Sequence, residues 1–155
     1  MPMRQGVRIG VDVGTVRIGV ARSDLHGMLA TPLETIARGV GDSARIASLV
    51  VELDALEIIV GFPLALSGRR TSSTDDAVAF AEGLAETLSI PVRLVDERLS
   101  TVSAQAAVRA SGRTTKQTRS VIDQVAAVII LQQALDIERA RDTLPGVAVA
   151  RDVGR

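Results

Sequence analysis

The chain contains no cysteine, no tryptophan and no tyrosine. Without cysteine there is no disulfide framework, no thiolate metal site and no sulfur nucleophile. Phe62 and Phe80 are the only aromatic residues, so stacking of bases on an aromatic platform is excluded as a main mechanism. His26 is the single histidine. It falls at an expected hairpin end without a ligating partner and reads as a surface residue. No uninterrupted apolar run reaches bilayer-spanning length, and the opening MPMRQGVRIG has no signal core. The expectation is a cytoplasmic protein with no membrane partner. With 155 residues, one domain with a real core is expected. We assign it to residues 1–141. Residues 142–155 contain Pro145-Gly146, show no periodicity and are expected to form a disordered tail.

An excess of charge of either sign is also missing, because Lys plus Arg and Asp plus Glu both number 18. That argues against a globally basic nucleic-acid binder. The distribution is uneven, however. Between Arg98 and Ile122 stand Arg98, Arg109, Arg113, Lys116 and Arg119, with no Asp or Glu among them. Acids crowd instead into Glu52-Asp54-Glu57 and Asp75-Asp76-Glu82-Glu86. Such a basic window is either a solvated helix face or a phosphate-binding surface.

What the chain does have is a strong opening pattern, VRIGVDVGTVRIGVARSD over residues 7–24. Val7, Ile9, Val11 and Val13 alternate with Arg8, Gly10, Asp12 and Gly14, and Ile18 and Val20 continue after a turn at Gly14-Thr15. This is the signature of a β-hairpin. Residues 28–36 read as a third strand, with Pro32 indicating an edge. Asp42 or Ser43 can cap a helix to about Leu56, whose apolar stripe is Ile46, Leu49, Val50 and Leu53. The apolar EIIVG of residues 57–61 fits a buried parallel strand. Residues 61–73 form a long loop, and Ser73 or Thr74 caps a helix to about Leu88 with Val78, Phe80, Ala81, Leu84 and Leu88 inward. A strand at Val92–Val95 ends in Asp96-Glu97. An alanine-rich helix to about Ala110, a polar loop over 111–118 and a strongly apolar helix from about Arg119 to Arg141 complete the order. The order β-β-β-α-β-α-β-α-α predicts an α/β fold with a mixed sheet flanked by helices.

Three acids stand where local pattern would not put them. Asp12 sits mid-strand between valines, where carboxylates are disfavoured and need a partner, a metal or a raised pKa. Gly10 and Gly14, on its face, would clear space for a ligand. Glu97 closes a strand at its carboxyl end, where ligands of open α/β sheets gather. Asp123 lies among apolar residues early in the last helix; alone it would read as a cap or helix-dipole partner. Together, three carboxylates without a histidine suit a hard divalent cation, Mg²⁺ or Mn²⁺. The matching chemistry is two-metal displacement at phosphorus.

Residues 12–21 (DVGTVRIGVA), 59–63 (IVGFP), 96–101 (DERLST) and 121–131 (VIDQVAAVIIL) resemble, in the same order, the motifs of the YqgF family. The resemblance runs from about residue 7 to 138. It implies an RNase H-like fold, here with a five-stranded sheet, and the activity of a pre-16S rRNA nuclease or a Holliday-junction resolvase-like protein. It further implies that Asp12, Glu97 and Asp123 are the catalytic, metal-binding acids. Asp96 faces away from Glu97 and takes a structural role. Arg113, Lys116 and Arg119 become candidates to grip phosphates, Arg98 a partner of Glu97, and Gly61 and Pro63 shapers of the rim loop.

Three other readings follow from the same residues. A four-way DNA junction needs two coordinated cuts and hence a homodimer, whereas trimming precursor rRNA needs one site. A nucleic-acid-binding assembly factor without turnover would share the fold, although all three acids are present. An actin- or sugar-kinase-type phosphotransferase also has an Asp-x-Gly-Thr hairpin, but needs a second such domain for which this chain is too short.

Overall fold

The computed structural model describes residues 3–97 and 115–149, with side chains in the final helix described from residue 123 onward. The strands are β1 (Arg8–Val13), β2 (Arg17–Ser23), β3 (Ala30–Ala37), β4 (Glu57–Phe62), β5 (Val92–Asp96) and β6 (Val147–Ala148). The helices are α1 (Asp42–Leu53), α2 (Ser72–Thr87) and α3 (Thr115–Arg141). They form one sheet in the order β3-β2-β1-β4-β5-β6. β1 to β3 pair antiparallel, β1, β4 and β5 pair parallel, and β6 returns antiparallel to β5. Among the described residues no helix is long and apolar enough to cross a membrane.

Alternation turns the apolar side chains of β1 to one face, whereas β4 presents apolar side chains on both. Ile9, Val11, Ile18, Val20, Ile58 and Val60 pack on one face against Ile46 and Leu49 of α1 and Ala81 and Leu84 of α2. Ala21, Ile59 and Val95 pack on the other against Ala127, Ile130, Leu131, Ala134 and Leu135 of α3. The hairpin, the edge position of β3 and the buried parallel β4 thus agree with the pattern in the sequence. Pro32 lies on the edge strand next to a register shift between Val20 and Ala21, where its missing N–H costs no ladder bond.

Other expectations need correction. The sheet has six strands rather than five. Val147–Ala148, in the segment expected to form a disordered tail, pairs with Leu94 and Arg93, and the Val149 N–H donates to the Val92 carbonyl at 2.8 Å. A two-residue edge strand is too short to show periodicity; residues 150–155 lie outside the described part. Helix α2 is capped by Thr71, not Ser73 or Thr74: its hydroxyl accepts from the Thr74 N–H while Thr74 accepts from the Thr71 N–H. That reciprocal pair is a capping box. Its buried face is Thr74, Ala77, Ala81, Leu84 and Ala85, because small side chains let α2 lie close to the sheet. Phe80 is half-buried, with the Arg38 guanidinium 5.3 Å from its ring centre. Helix α1 stops at Leu53, where Asp54 turns left-handed at φ 49°. Helix α3 begins at Thr115, inside the expected polar loop. The alanine-rich helix expected before it lies outside the described residues.

At the amino ends of the parallel strands a charge network is buried. Arg4 donates to Glu57 and Glu138 at 2.7 Å each, Arg8 to Glu138 at 3.1 Å and Arg93 to Glu57 at 3.0 Å. Glu57 is 0% exposed and Arg8 1%. Removing one member of such a set typically costs about 3–5 kcal/mol, because its partners are left charged and buried. The network fastens the amino-terminal segment, β1, β4, β5 and the last turn of α3 to one another.

Helix α3 lies very close to β1 and β2. An ideal Cβ on Gly19 would sit 1.8 Å from the Asp123 carbonyl oxygen, and one on Gly10 2.7 Å from the Leu131 Cβ. Gly83, on the exposed side of α2, has nothing within 4 Å of its own ideal Cβ. Gly19→Ala is therefore expected to destabilise the protein by about 1–3 kcal/mol through overpacking. Gly83→Ala should stabilise it by about 0.5–1 kcal/mol through helix propensity. Urea denaturation of the two variants measures both; equal effects would rule out the close approach of α3.

Candidate active site

The sheet face beneath α3 is ordered along each parallel strand. From foot to rim, β1 presents Arg8, Gly10 and Asp12, β4 presents Glu57, Ile59 and Gly61, and β5 presents Arg93, Val95 and then Glu97. The foot holds paired charge and the middle is apolar or empty. The rim holds acids.

Asp12 and Glu97 meet there, hydrogen-bonded side chain to side chain. Gly61 makes this possible: its ideal Cβ would fall 1.9 Å from the Glu97 Oε2, so the carboxylate lies where any other residue would place a side chain. Glu97 is buried, and its Oε2 has no hydrogen-bond partner among the described residues. Burial pushes the Glu97 carboxyl up to about 8, reinforced by the Asp12 charge, the bond to Asp12 and the charge of Asp96. Burial likewise pushes Asp12 up to about 6, with the Asp123 charge adding to it and the bond from Glu97 opposing it. Near neutral pH this pair retains a proton.

Asp123, on α3, is near enough for its charge to act on Asp12. Its carboxylate is engaged, however: Arg17 Nε donates to Asp123 Oδ2 at 2.8 Å. Among the described residues no three His, Cys, Asp or Glu side chains converge as they stand into one coordination sphere. The structure thus brings two of the three expected acids together and holds the third beside them on an arginine. The donor chemistry still fits a hard divalent cation. Its oxygens are carboxylate, and among the described residues one of them is buried without a partner and a single guanidinium is bonded to the crowded acids.

The remaining sequence candidates divide. Arg98 and Arg113 lie outside the described residues, as do the side chains of Lys116 and Arg119, whose backbone belongs to the first turns of α3. Asp96 alternates to the face opposite Glu97, in register with Phe62. His26 is exposed and meets Gln5 at 2.7 Å. The space at Gly10 is filled by Leu131 and Ala127, and that at Gly14 by its own turn. Neither glycine opens the face to a ligand, because α3 and the hairpin already occupy it. Sequence reasoning missed Arg17 and understated Gly61. The hairpin register offered a signal for Arg17, since Arg17, Gly19 and Ala21 alternate onto the face that carries Asp12, whose register partner is Gly19.

Comparisons with known proteins agree with this arrangement. Residues 6–137 match the family described as "RuvX: Holliday junction resolvase". A protein of Leifsonia xyli subsp. xyli named "Putative pre-16S rRNA nuclease" is 63% identical, covering 98% of this chain and 99% of its own length. One of the same name from Clavibacter michiganensis subsp. michiganensis is 60% identical over 97% and 95%. Among solved structures, Thermus thermophilus RuvC in complex with a Holliday junction substrate superposes with a TM-score of 0.57 at 15% identity, covering 90% of this chain and 99% of that one. That likeness establishes the RNase H-like fold expected from the sequence. With its acids gathered at one rim of that fold, the chain belongs to the RuvX family, the YqgF family of the motif resemblance, and is a nuclease.

Proposed function

We propose that the protein hydrolyses phosphodiester bonds with Asp12, Glu97 and Asp123 as its metal-binding acids, and that its substrate is the 5′ end of the small-subunit ribosomal RNA precursor. The observation that carries the site is the pairing of buried Glu97 with half-buried Asp12 at the carboxyl end of the parallel strands, where one Glu97 oxygen has no partner among the described residues. Burying acids this way is unfavourable unless a cation or a proton compensates them. Mg²⁺ or Mn²⁺ bound there supplies an activated water and stabilisation of the leaving oxygen. The chain's own part is to hold the acids in a dry, fixed frame and to release the shared proton. Arg113, Lys116 and Arg119 precede Asp123 in the sequence and are the proposed phosphate contacts.

The precursor-rRNA assignment rests on the names of the relatives that match nearly end to end, and it implies work in the cytoplasm. A second reading, resolution of four-way DNA by a homodimer, is favoured by the family description. A single domain, with β6 as part of its sheet, suffices for either reading.

Two outcomes are expected. The first concerns pH. The folded-state values of Asp12 and Glu97 lie above their unfolded ones. Their contribution to stability is therefore present at acid pH and lost as pH rises through about 6 and then about 8. Thermal melting in EDTA should fall across that window and be restored by Mn²⁺, more fully at its alkaline end. In Glu97→Gln the fall should shrink; a melting temperature independent of pH in the parent would refute the buried pair.

The second concerns turnover. Purified protein with Mn²⁺ should cut an RNA spanning the precursor's 5′ end and leave a synthetic four-way DNA junction intact. Asp12→Asn should lose at least about 10²-fold in rate, while still binding RNA. Symmetrical cutting of the junction would install the resolvase reading. Absence of cutting with unchanged binding in Asp12→Asn would mark a non-catalytic assembly factor.

A further inference from the structure

Among the described residues, the cation bonded to an acid of the rim is Arg17. Arg17 opens β2, directly after the hairpin turn that follows Asp12, and its Nε donates to Asp123 Oδ2 at 2.8 Å. Its terminal nitrogens make no further hydrogen bond among the described residues. The Arg17 side chain is 32% exposed and that of Asp123 17%. The guanidinium thus has water on one side and the acids on the other, and can leave the carboxylate without a desolvation penalty. Asp12 and Glu97, by contrast, are bonded side chain to side chain. This placement explains why three acids that share one rim do not share one coordination sphere: the third is occupied.

We propose that Arg17 is an internal counter-cation, a positioning residue that holds Asp123 in the metal-free protein and competes with the divalent ion for that carboxylate. The inference rests on the metal-binding reading above and extends it. The charge count gives the consequence. Once the shared proton is released at alkaline pH, the three rim carboxylates and the paired guanidinium, among the described residues, sum to about two minus, which one divalent ion neutralises. A second ion meets a neutral site unless the guanidinium swings away. Once released, Arg17 stands at the rim with its planar fork of donors free, and a backbone phosphate is a natural acceptor for it. Arg17 thereby discourages full metal loading until nucleic acid gives it another partner. Lysine at this position would keep the charge but not the fork.

The test is calorimetric titration of the full chain with Mn²⁺ alone, at alkaline pH and without nucleic acid. The proteins compared are the parent, Arg17→Gln, Arg17→Lys, Asp123→Asn and the double variant Arg17→Gln/Asp123→Asn. Arg17→Gln is expected to bind Mn²⁺ about five- to tenfold more tightly than the parent, the scale of a typical coupling between two sites. Arg17→Lys should return to the weaker parental affinity. In the Asp123→Asn background the gain from Arg17→Gln should vanish, which a merely structural arginine would not produce. Circular dichroism and melting in EDTA establish that each variant is folded. Unchanged or weaker Mn²⁺ binding by folded Arg17→Gln overturns the proposal and leaves the metal site standing. A gain that persists undiminished in the Asp123→Asn background overturns it too. A parent chain that binds no Mn²⁺ removes the metal-binding reading and this inference together.

Discussion

Helix α3 crosses the sheet at a distance that only glycines allow, and the geometry of the acid rim depends on that contact. Gly10 receives Leu131 and Ala127, Gly19 receives the backbone at Asp123, and Gly61 receives the Glu97 carboxylate. Two of these contacts set where helix and strands lie, and the third sets where a functional oxygen lies. A methyl group at Gly19 would force the helix outward and carry Asp123 away from Asp12. Packing and chemistry are therefore the same contact seen from its two ends. Ile59, Val95, Ile130 and Leu131, buried between them, supply the apolar area that keeps the helix seated.

The two ends of this face treat charge in opposite ways. At the foot, two glutamates are matched by Arg4, Arg8 and Arg93, bonded at 2.7 to 3.1 Å. At the rim, buried Glu97 meets half-buried Asp12, and the third acid has a half-exposed arginine for company. The foot is a finished structure, complete except for the Arg8 Nε, which is buried without a partner among the described residues. The rim is electrostatically unfinished, as a site that takes up cations and releases protons has to be.

Much of the frame was legible in the sequence because its signals are local. The alternation in residues 7–13 revealed β1, and the apolar run of residues 58–60 revealed a strand covered on both faces. Pro32 identified an edge. Asp12, Glu97 and Asp123 stood out because each interrupts a pattern built for burial. What stayed hidden depends on tertiary distance. Gly61 reads as a loop former until Glu97, a helix and a strand further along the chain, lies down on it. Arg17 reads as ordinary hairpin charge until α3 delivers Asp123 to it. The sixth strand is recognisable only by what it pairs with. The purpose assigned to Gly10 was mistaken for a physical reason: an empty glycine face can admit a ligand or a helix, and local sequence does not distinguish them.

Helix α3 carries Glu138 near one end and Asp123 near the other, about four helical turns apart. Glu138 is fastened at the foot by Arg4 and Arg8, and a helix is nearly incompressible along its axis. The height at which Asp123 meets the rim is therefore set like the tip of a ruler clamped at its far end. Alignment of the reactive end is delegated to residues that never approach a substrate. Drift in the clamp would surface as lost geometry at the tip, with every side chain at the tip intact.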